Sequence, residues 1–351
     1  MFQAPSTPQI ASAAPPAGEP RATFSYAATH DVDEQAALLR GWNQSYAQLS
    51  AGPFRGNIAE TSFSGVHLFM EQTDSELFQT GELPSNLCAV GVPLRIGGIA
   101  NFCGAETAGE ALHVFSGRSG FEFYTPSGLI MAGIVVDIED LAASLSDDEY
   151  GGVLSSLSDA HLHRAQLHLA DGIRRQIVSV FEVIRDHPHL ADNPQHVHAM
   201  KAALVSTLAQ ALAGDQPVSR STIAPAKRWL IVATARALIM DHPDTPMTIA
   251  DLCRALGISR RNLQYCFQDV LGISPASFLR IVRLNGARRA IKTSKSVTDA
   301  ATMWGFWHFG RFAHDYRAMF GELPSETYRR SHGVIATRFD IRRPAAPAAL
   351  P

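Results

Sequence analysis

The chain has 351 residues, of which 46% are hydrophobic and 18% are charged, a balance typical of soluble globular proteins. No run of about 18 apolar residues occurs, so no transmembrane helix is expected. The N-terminus lacks the basic and apolar regions of a secretory signal. The net charge of −3 hides an asymmetry, because residues 223–335 carry 16 Lys and Arg against 8 Asp and Glu. This basic block favours a polyanion-binding module joined to an acidic domain.

The N-terminal part of the chain is predicted to be a tail followed by a β-rich domain. Residues 1–20 are rich in Ala, Pro and Ser, which is typical of a disordered tail. Over residues 21–143, short runs rich in β-branched and aromatic residues alternate with Gly, Pro, Ser and Asn. The clearest runs are 66–70, 87–92, 121–124 and 130–138. We expect an effector-sensing domain of cupin-like or barrel form, with one helix over 34–49.

The segment 144–222 is predicted to be helical, ending in a linker at residues 215–221. One apolar stripe recurs at helical spacing and consists of Val197, Met200, Leu204, Leu208 and Ala211. The stripe fits either a domain core or a seam between two subunits. The core is favoured because the stripe is too short for a heptad array. A homodimer through this segment stays an alternative.

An internal repeat is the strongest signal in the chain, because residues 248–280 and 296–329 carry the same features in the same order. We call these stretches the first unit and the second unit. Each begins with a Thr or Ser followed three residues later by Asp, a pattern that caps the start of a helix. Gly257 and Gly305 then occupy the place where that helix must end and the chain must turn. Each unit closes with a further Gly and a Pro.

Each unit is predicted to be a helix-turn-helix, whose second helix enters the major groove of DNA. In the first unit this recognition helix runs from Arg260 to about Val270, with Leu263 and Phe267 facing inward. Its outward, DNA-binding residues are Arg260, Arg261, Asn262, Gln264 and Tyr265. In the second unit the inward Phe312 comes one position later after the glycine, so its turn is one residue longer. Its outward residues are Trp307, His308, Phe309, Gly310, Arg311 and His314.

Residues 275–293 are predicted to form one long helix that connects the two units. Such a helix would hold both recognition helices at a fixed separation, so that a monomer could contact two successive major grooves, about 34 Å apart, of double-stranded DNA. Some of its cations, Arg283, Arg288, Arg289 and Lys292, are expected to touch phosphates. An ordinary helical bundle is the alternative, but two copies in register on a basic background argue against it.

The region 248–329 resembles the DNA-binding domain of AraC/XylS-type bacterial regulators. The resemblance rests on Trp304-Gly-Phe-Trp-His-Phe-Gly-Arg-Phe and Phe320-Gly-Glu-Leu-Pro-Ser. It implies a sequence-specific transcription regulator, more often an activator, with a separate effector or dimerisation domain and RNA polymerase as a partner. It also implies that residues 261–265 form the first DNA-contacting surface and residues 308–311 the second. Trp307, Phe309 and Gly310 depart from the small polar residues usual in the family.

The N-terminal part also resembles the sensor domain of the ethanolamine operon regulator. The resemblance rests on Trp42-Asn-Gln-Ser-Tyr46, Pro53-Phe-Arg-Gly56 and Phe123-Tyr-Thr-Pro126. It implies ethanolamine as the effector, sensed with or without a cobalamin. An aromatic acid or amine is the competing effector, because many regulators of aromatic catabolism share the C-terminal motifs.

Metal and enzyme chemistry are not expected. The four cysteines show no CxxC spacing. Seven of the 14 histidines lie between His161 and His198, but their spacings of two do not share a helix face. No nucleophile elbow, P-loop or dinucleotide motif occurs. We therefore predict no enzyme activity and no cofactor. The α+β chain is expected to be a cytoplasmic, effector-responsive activator of a catabolic operon, or else a constitutive DNA-binding protein whose N-terminal half only oligomerises.

Overall fold

A computed structural model describes residues 23–143, 145, 147–187, 190, 192–213, 223–241 and 247–333. The predicted tails, 1–20 and 336–351, and the predicted linker, 215–221, lie outside the described residues.

The described residues form twelve strands and twelve helices. The strands are β1 (Thr23–Thr29), β2 (Asn43–Gln48), β3 (Gly56–Phe63), β4 (Val66–Thr73), β5 (Leu77–Glu82), β6 (Leu87–Arg95), β7 (Ala100–Phe102), β8 (Ala105–Thr107), β9 (Leu112–Ser116), β10 (Phe121–Thr125), β11 (Leu129–Asp137) and β12 (His161–His163). The helices are α1 (Val32–Leu38), α2 (Ile138–Ala142), α3 (Asp147–Ser156), α4 (Leu167–Asp186), α5 (Pro194–Ala213), α6 (Ile223–Asp241), α7 (Ile249–Leu256), α8 (Arg260–Leu271), α9 (Pro275–Ile291), α10 (Val297–Met303), α11 (Phe309–Phe320) and α12 (Pro324–Ser331).

The strands form two antiparallel sheets that pack against each other. Sheet A has the order β1-β3-β4-β11-β6-β9-β12, and sheet B has the order β2-β5-β10-β7-β8. The predicted β-rich domain is confirmed, and the four predicted strand runs lie in β4, β6, β10 and β11, except that Ile138 begins α2. In the described residues the sheets are separate and open, so the cupin-like or barrel form is not a closed barrel.

The predicted helix over 34–49 is wrong in its second half. Helix α1 ends at Leu38, Gly41 follows with a φ of +79°, and the chain continues as strand β2. Strand β2 pairs along its whole length with β5, from Asn43 opposite Glu82 to Gln48 opposite Leu77. This long-range pairing overrides the local helical pattern.

The β-domain and the helices form four layers, in the order α4 with α5, sheet A, sheet B and the C-terminal helices. Successive side chains on a strand face opposite neighbouring layers. On β6, Val90 packs toward helices α4 and α5, whereas the preceding residue, Ala89, faces the other side of the sheet and packs toward sheet B. Helix α4 carries apolar residues at spacings of three and four, including Ile173 and Ile177, on its buried face. The outer face of sheet B packs against the C-terminal helices, since Phe78 stacks on Trp229 of α6.

The apolar stripe of α5 belongs to the domain core. Val197, Leu204, Leu208 and Ala211 are buried with the sheet A residues, and Met200 packs against the same cluster. The structure therefore supports the core interpretation of this stripe over the subunit seam. A homodimer, if formed, needs another surface.

Helix α9 joins the C-terminal helices to the N-terminal domain through buried charges. Arg288, which is 3% exposed, lies 3.1 Å from the carboxylate of Asp31 before α1 and 3.1 Å from that of Glu322 before α12. Its guanidinium also lies 4.5 Å from the ring centroid of Phe320. Burial alone would raise the pKa of Asp31, but Arg288 and Lys292 lower it to about 2. The Asp31 carboxyl is thus ionised near neutral pH.

Two further cations of α9 point to the same domain. Lys292 Nζ lies 2.7 Å from carboxylate oxygens of both Asp31 and Asp33. Arg289 pairs with Asp33 at 3.0 Å and donates to the carbonyl oxygen of Tyr46 at 2.8 Å. For Arg288, Arg289 and Lys292 the expected contact with phosphate is not supported, because carboxylates of the N-terminal domain already hold them. Arg283 donates instead to the Met247 carbonyl, and its contact with phosphate stays a prediction.

An amide adds a specific hydrogen-bonded contact beside these charges. The Asn285 side chain accepts from the Gln48 backbone N–H at 3.0 Å and donates to the Gln48 carbonyl at 2.9 Å, so α9 pairs with the end of β2. The Gln48 side chain donates in turn to the carbonyl of Met319 in α11 at 3.2 Å. The β-domain therefore contacts both α9 and the second recognition helix.

Asp31→Asn is expected to lower the free energy of unfolding of the full chain by about 3 kcal/mol at pH 7. The amide can still cap α1, but it leaves the buried Arg288 and Lys292 with less negative charge. Because the Asp31 pKa is depressed, its carboxylate stabilises the fold above its ordinary pKa of 3.8, and that stability is lost as pH falls toward about 2. The difference in free energy of unfolding between the variant and the parent, measured by equilibrium urea unfolding, should therefore become smaller as pH falls from 3.8 toward about 2.

The matched control for this prediction is Asp171→Asn, which removes an acid from a partly exposed pair with Arg174. It should change the free energy of unfolding by less than about 1 kcal/mol. Equal effects of the two substitutions would show that the buried network does not stabilise the contact between domains.

Candidate nucleic-acid interface

The first unit begins with a complete capping box. The Thr248 hydroxyl accepts from the Asp251 N–H at 3.2 Å, and the Asp251 carboxylate accepts from the Thr248 N–H at 3.0 Å. Helix α7 ends at Gly257, which has a φ of +64°, and the Ile258 N–H donates to the Cys253 carbonyl at 3.1 Å. This left-handed glycine and its backbone bond turn the chain into the second helix.

The second unit repeats this geometry. The Ser296 hydroxyl accepts from the Asp299 N–H at 3.0 Å and starts α10. Gly305 has a φ of +77°, and the Phe306 N–H donates to the Ala301 carbonyl at 2.9 Å. Because both turns close with the same bond, the repeat seen in the sequence is a repeat of structure.

The two recognition helices, α8 and α11, differ in how they start. Helix α8 begins three residues after Gly257, with the Ser259 hydroxyl accepting from the Asn262 N–H at 3.2 Å. Helix α11 begins four residues after Gly305, and its N-cap, His308, makes no side-chain cap bond. The predicted longer turn of the second unit is thus confirmed, and its recognition helix starts with more free backbone N–H groups.

Each recognition helix buries one face and leaves the other free. Leu263 and Phe267 of α8 and Phe312 and Tyr316 of α11 are buried in the domain core. All eleven residues predicted to contact DNA are exposed: Arg260, Arg261, Asn262, Gln264, Tyr265, Trp307, His308, Phe309, Gly310, Arg311 and His314. Their contact with DNA stays a prediction.

The exposed face of α8 is contacted by a residue outside the repeat, Arg228, which the sequence did not indicate. The guanidinium of Arg228 on α6 lies 4.8 Å from the ring centroid of Tyr265 and pairs with Asp269 at 2.7 Å. The cation fixes the Tyr265 ring beside the polar groups of α8. Sequence analysis missed Arg228 because α6 lies outside the repeat and no spacing rule relates it to α8.

The exposed surface near both recognition helices is positively charged. Besides the predicted Arg260, Arg261 and Arg311, the exposed Arg317 and Lys295 have no carboxylate partner within the described ranges. Unpaired cations at this surface are free to meet phosphates, which position a protein on DNA.

Metal and membrane features are not found in the part of the chain that the structure describes. No group of three or more His, Cys, Asp or Glu there could hold a metal ion. One of the clustered histidines, His163, is buried, and its Nε2 donates to the Ala211 carbonyl at 3.0 Å, which ties β12 to α5. No helix of the described ranges has the length and apolarity needed to cross a bilayer.

Comparison with known proteins places this interface in a family. Residues 252–330 match a family model described as a helix-turn-helix domain. The "Probable thc operon regulatory protein" of Rhodococcus erythropolis is 34% identical over 198 residues, which cover 54% of this chain and 57% of that protein. The "XylDLEGF operon transcriptional activator 3" of Pseudomonas putida is 35% identical over 96 residues, which cover 26% of this chain and 29% of that protein. The chain thus spans little more than half, or less, of these curated relatives.

A solved structure carries the family name. A probable AraC family transcriptional regulator from Rhodopseudomonas palustris CGA009 is 39% identical, over 29% of this chain and 97% of that chain, with a TM-score of 0.27. The helix-turn-helix domain of residues 252–330 is of the AraC type. The AraC-type domain holds both helix-turn-helix units, and the relatives named here are regulators rather than enzymes. The resemblance of the N-terminal domain to the ethanolamine operon regulator is not shown by these matches and stays a prediction.

Ser296→Ala is expected to lower the free energy of unfolding by about 1 kcal/mol, because the first turn of α10 loses the hydroxyl that accepts from the Asp299 N–H. The control is Thr298→Ala, an exposed position in the same turn that does not cap the helix. It should have no effect or a slightly stabilising one. Urea unfolding of both variants tests this, and equal stabilities would show that Ser296 does not cap α10.

Proposed function

We propose that this protein is a sequence-specific transcription regulator of the AraC/XylS family that activates a catabolic operon in response to a small molecule. Helices α8 and α11 would enter two successive major grooves of double-stranded DNA. The single observation that carries the proposal is that both recognition helices bury one face and expose all the polar and aromatic residues of the other.

The connecting helix supports simultaneous contact with two grooves. The 17 residues of α9 span about 25 Å. Phe278 of α9 packs on Phe267 of α8 with ring centroids 5.1 Å apart, and Arg280 of α9 pairs with Asp315 of α11. Both recognition helices are thus fixed to α9. Because their exposed faces lie outside the ends of this helix, the distance between those faces can approach the groove spacing of about 34 Å.

The two helices offer different chemistry to base edges. In α8, Arg261 suits guanine, whereas Asn262 and Gln264 suit adenine, because each can form two hydrogen bonds with its base. In α11, Trp307 and Phe309 are exposed and apolar, which favours contact with thymine methyls and sugars. The first unit would therefore supply more of the base-specific hydrogen bonds than the second, and Arg311 would bind phosphate.

The remaining parts of the proposal concern domains and partners. We assign effector sensing to the β-rich region, 21–143, a helical and dimerising role to 144–222, and DNA binding to 223–335. Helices α4 and α5 share a core with sheet A, so these two regions would act as one body. RNA polymerase is the expected partner at the promoter. The names of the relatives, which are operon regulators and activators, support activation.

Selection of binding sites from random duplex DNA, followed by footprinting, tests the proposal. We expect one enriched sequence with two protected patches about one helical turn apart, and an affinity that falls steeply with salt. Binding without sequence preference, or a single protected patch, would contradict it.

Arg261→Ala is expected to weaken binding to the selected site by roughly 1–3 kcal/mol, with a much smaller effect on random DNA, because a bidentate contact to a base is lost. The control is Arg118→Ala, which removes the same charge from an exposed position in the β-domain. Fluorescence anisotropy at several salt concentrations measures both variants. Equal losses on specific and random DNA would show that Arg261 contacts only phosphate.

Gly310→Ala is expected to change stability and DNA binding in opposite directions. A Cβ at this exposed helical position meets no atom within 4 Å in the free protein, so alanine should stabilise α11 by about 0.5–1 kcal/mol. In the complex the same methyl would face the DNA, and operator affinity should fall by roughly 1 kcal/mol. The control is Gly172→Ala in α4, which should stabilise without changing affinity. If Gly310→Ala binds operator DNA as tightly as the parent does, Gly310 does not contact DNA.

A further inference from the structure

Tyr265 is an exposed aromatic ring in the middle of a polar helix face. It is 54% exposed and lies on α8, the first recognition helix. Together with five neighbours it lines an open groove of about 510 Å³, and these neighbours are Ser259, Arg261, Asn262, Gln264 and Gln268. The neighbours are all polar, and their side chains are of the types that hydrogen-bond with base edges. Tyr265 is therefore the one aromatic side chain among the six described residues that line this groove.

One face of the Tyr265 ring is occupied by a cation from another helix. The Arg228 guanidinium of α6 lies 4.8 Å from the ring centroid, and its Nη1 lies 2.7 Å from the Asp269 carboxylate. Tyr265 and Asp269 are four positions apart, so they lie on the same side of α8. One guanidinium thus contacts both side chains and restricts the rotation of the ring. The ring face that is turned away from Arg228 is left for the groove.

The backbone that carries Arg228 is itself fixed. The next residue, Trp229, is buried, and its ring stacks on that of Phe78 in sheet B with centroids 5.9 Å apart. Val232, one turn further along α6, is buried in the same apolar cluster as Leu263 of α8. Helix α6 therefore cannot slide along α8 without breaking contacts with both neighbours, and Arg228 reaches the ring from a fixed point.

The C-terminal end of the groove favours the ring as a base contact. Gln268, one turn beyond Tyr265, donates from Nε2 to the Gly272 carbonyl at 3.1 Å. This bond holds the Gln268 amide toward the C-terminal end of α8, so the amide is directed away from the ring. Of the six groove residues, Tyr265 is therefore the one nearest that end whose side chain remains available to a base.

We propose that Arg228 is a positioning residue for DNA recognition, and that it holds Tyr265 with its open ring face against the 5-methyl group of a thymine. The inference rests on the proposed function, because it requires α8 to enter a major groove. Thymine carries this methyl group on its major-groove edge, where it distinguishes thymine from the other bases. An aromatic face carries a negative quadrupole and no hydrogen-bond donor, so it suits a methyl group better than the polar edge of guanine or adenine.

Direct contact of Arg228 with a phosphate is the competing explanation. Asp269 already balances the charge of Arg228 at 2.7 Å, and the Arg228 side chain is only 29% exposed. A phosphate would have to displace this carboxylate and would also be repelled by its negative charge. Arg228 therefore acts through the ring, in contrast to Arg260 and Arg261, which are exposed.

The geometry requires an arginine at position 228. A planar guanidinium can lie over an aromatic ring while it hydrogen-bonds with a carboxylate, whereas a lysine ammonium is a compact charge without that planar shape. Arg228→Lys therefore keeps the charge but releases the ring. Asp269→Asn releases the ring in another way, because it removes the carboxylate that anchors the guanidinium, and it also makes the surface of α8 more positive.

Replacement of single thymines by deoxyuridine in the selected DNA site tests the proposal, because deoxyuridine keeps the base pair and lacks only the methyl group. Fluorescence anisotropy of the full chain measures each affinity. For the parent protein, at least one replacement should weaken binding about fourfold, the loss expected when one methyl group leaves an apolar contact. At one such position the loss should disappear in Arg228→Lys, in Asp269→Asn and in Tyr265→Ala. Tyr265→Phe keeps the ring and should keep the loss.

The matched control is Arg185→Lys, because Arg185 is also paired with an acid, Asp186, at 2.7 Å, but lies on α4 of the N-terminal half. It should keep every methyl-dependent loss of the parent. Thymines contacted by α11 provide a second control, since their methyl dependence should not change in Arg228→Lys. Each variant is compared on two DNA molecules that differ by one methyl group, so an effect of the substitution on folding cancels. Asp269→Asn should also bind both DNA molecules more tightly at low salt, because it removes a negative charge.

Two results overturn the proposal. One is a selected site in which no methyl-dependent thymine loses that dependence in Arg228→Lys. The other is equal weakening of the thymine and deoxyuridine sites by Arg228→Lys with a smaller salt dependence, which would show that Arg228 contacts phosphate. The proposed function fails in a different experiment, because a protein that selects no sequence provides no site for the replacement. Specific binding without an Arg228-dependent thymine therefore refutes the role of Arg228 and leaves the proposed function in place.

Discussion

The arrangement of the two halves of this protein depends on one buried guanidinium. Arg288 is held between Asp31 of the N-terminal domain and Glu322 of the second unit. Removing such a charge from water is costly, and the cost is offset only when both carboxylates stand in place. The pairing of Asn285 with the backbone of Gln48 adds a geometric requirement, because its two hydrogen bonds fit only one register of α9 against β2. These contacts define one way for the domains to meet.

Helix α9 consequently packs against the N-terminal domain and against both recognition helices. One side contacts α1 and β2, and the remainder supports α8 through Phe278 and α11 through Arg280. Gly286 permits this crowding, because a Cβ there would lie 2.3 Å from the Trp304 ring of the second unit. Changes within the β-domain and changes at the recognition helices therefore share one rigid element. A shift of α9 relative to β2 is the motion most directly available to couple them.

Features that depend only on residues near each other in the sequence could be predicted from it. The cap at Thr248, the left-handed turns at Gly257 and Gly305, and the longer second turn all depend on residues within a few positions of each other, and the structure agrees with each prediction. Pairing across long separations was not predictable. Residues 43–48 form a strand because β5 lies beside them, and no nearby signal indicates this.

The same limit applies to charged residues whose partners are far away in the sequence. Arg288 and Lys292 were among the cations expected to meet phosphates, because their shared partner Asp31 lies more than 250 residues away in the sequence. A fragment limited to the AraC-type domain would lose Asp31 and Asp33, so that Arg289 and Lys292 would have no carboxylate partner and Arg288 would keep only Glu322. Its attraction to any polyanion would then exceed that of the intact chain, and its selectivity would be correspondingly poorer.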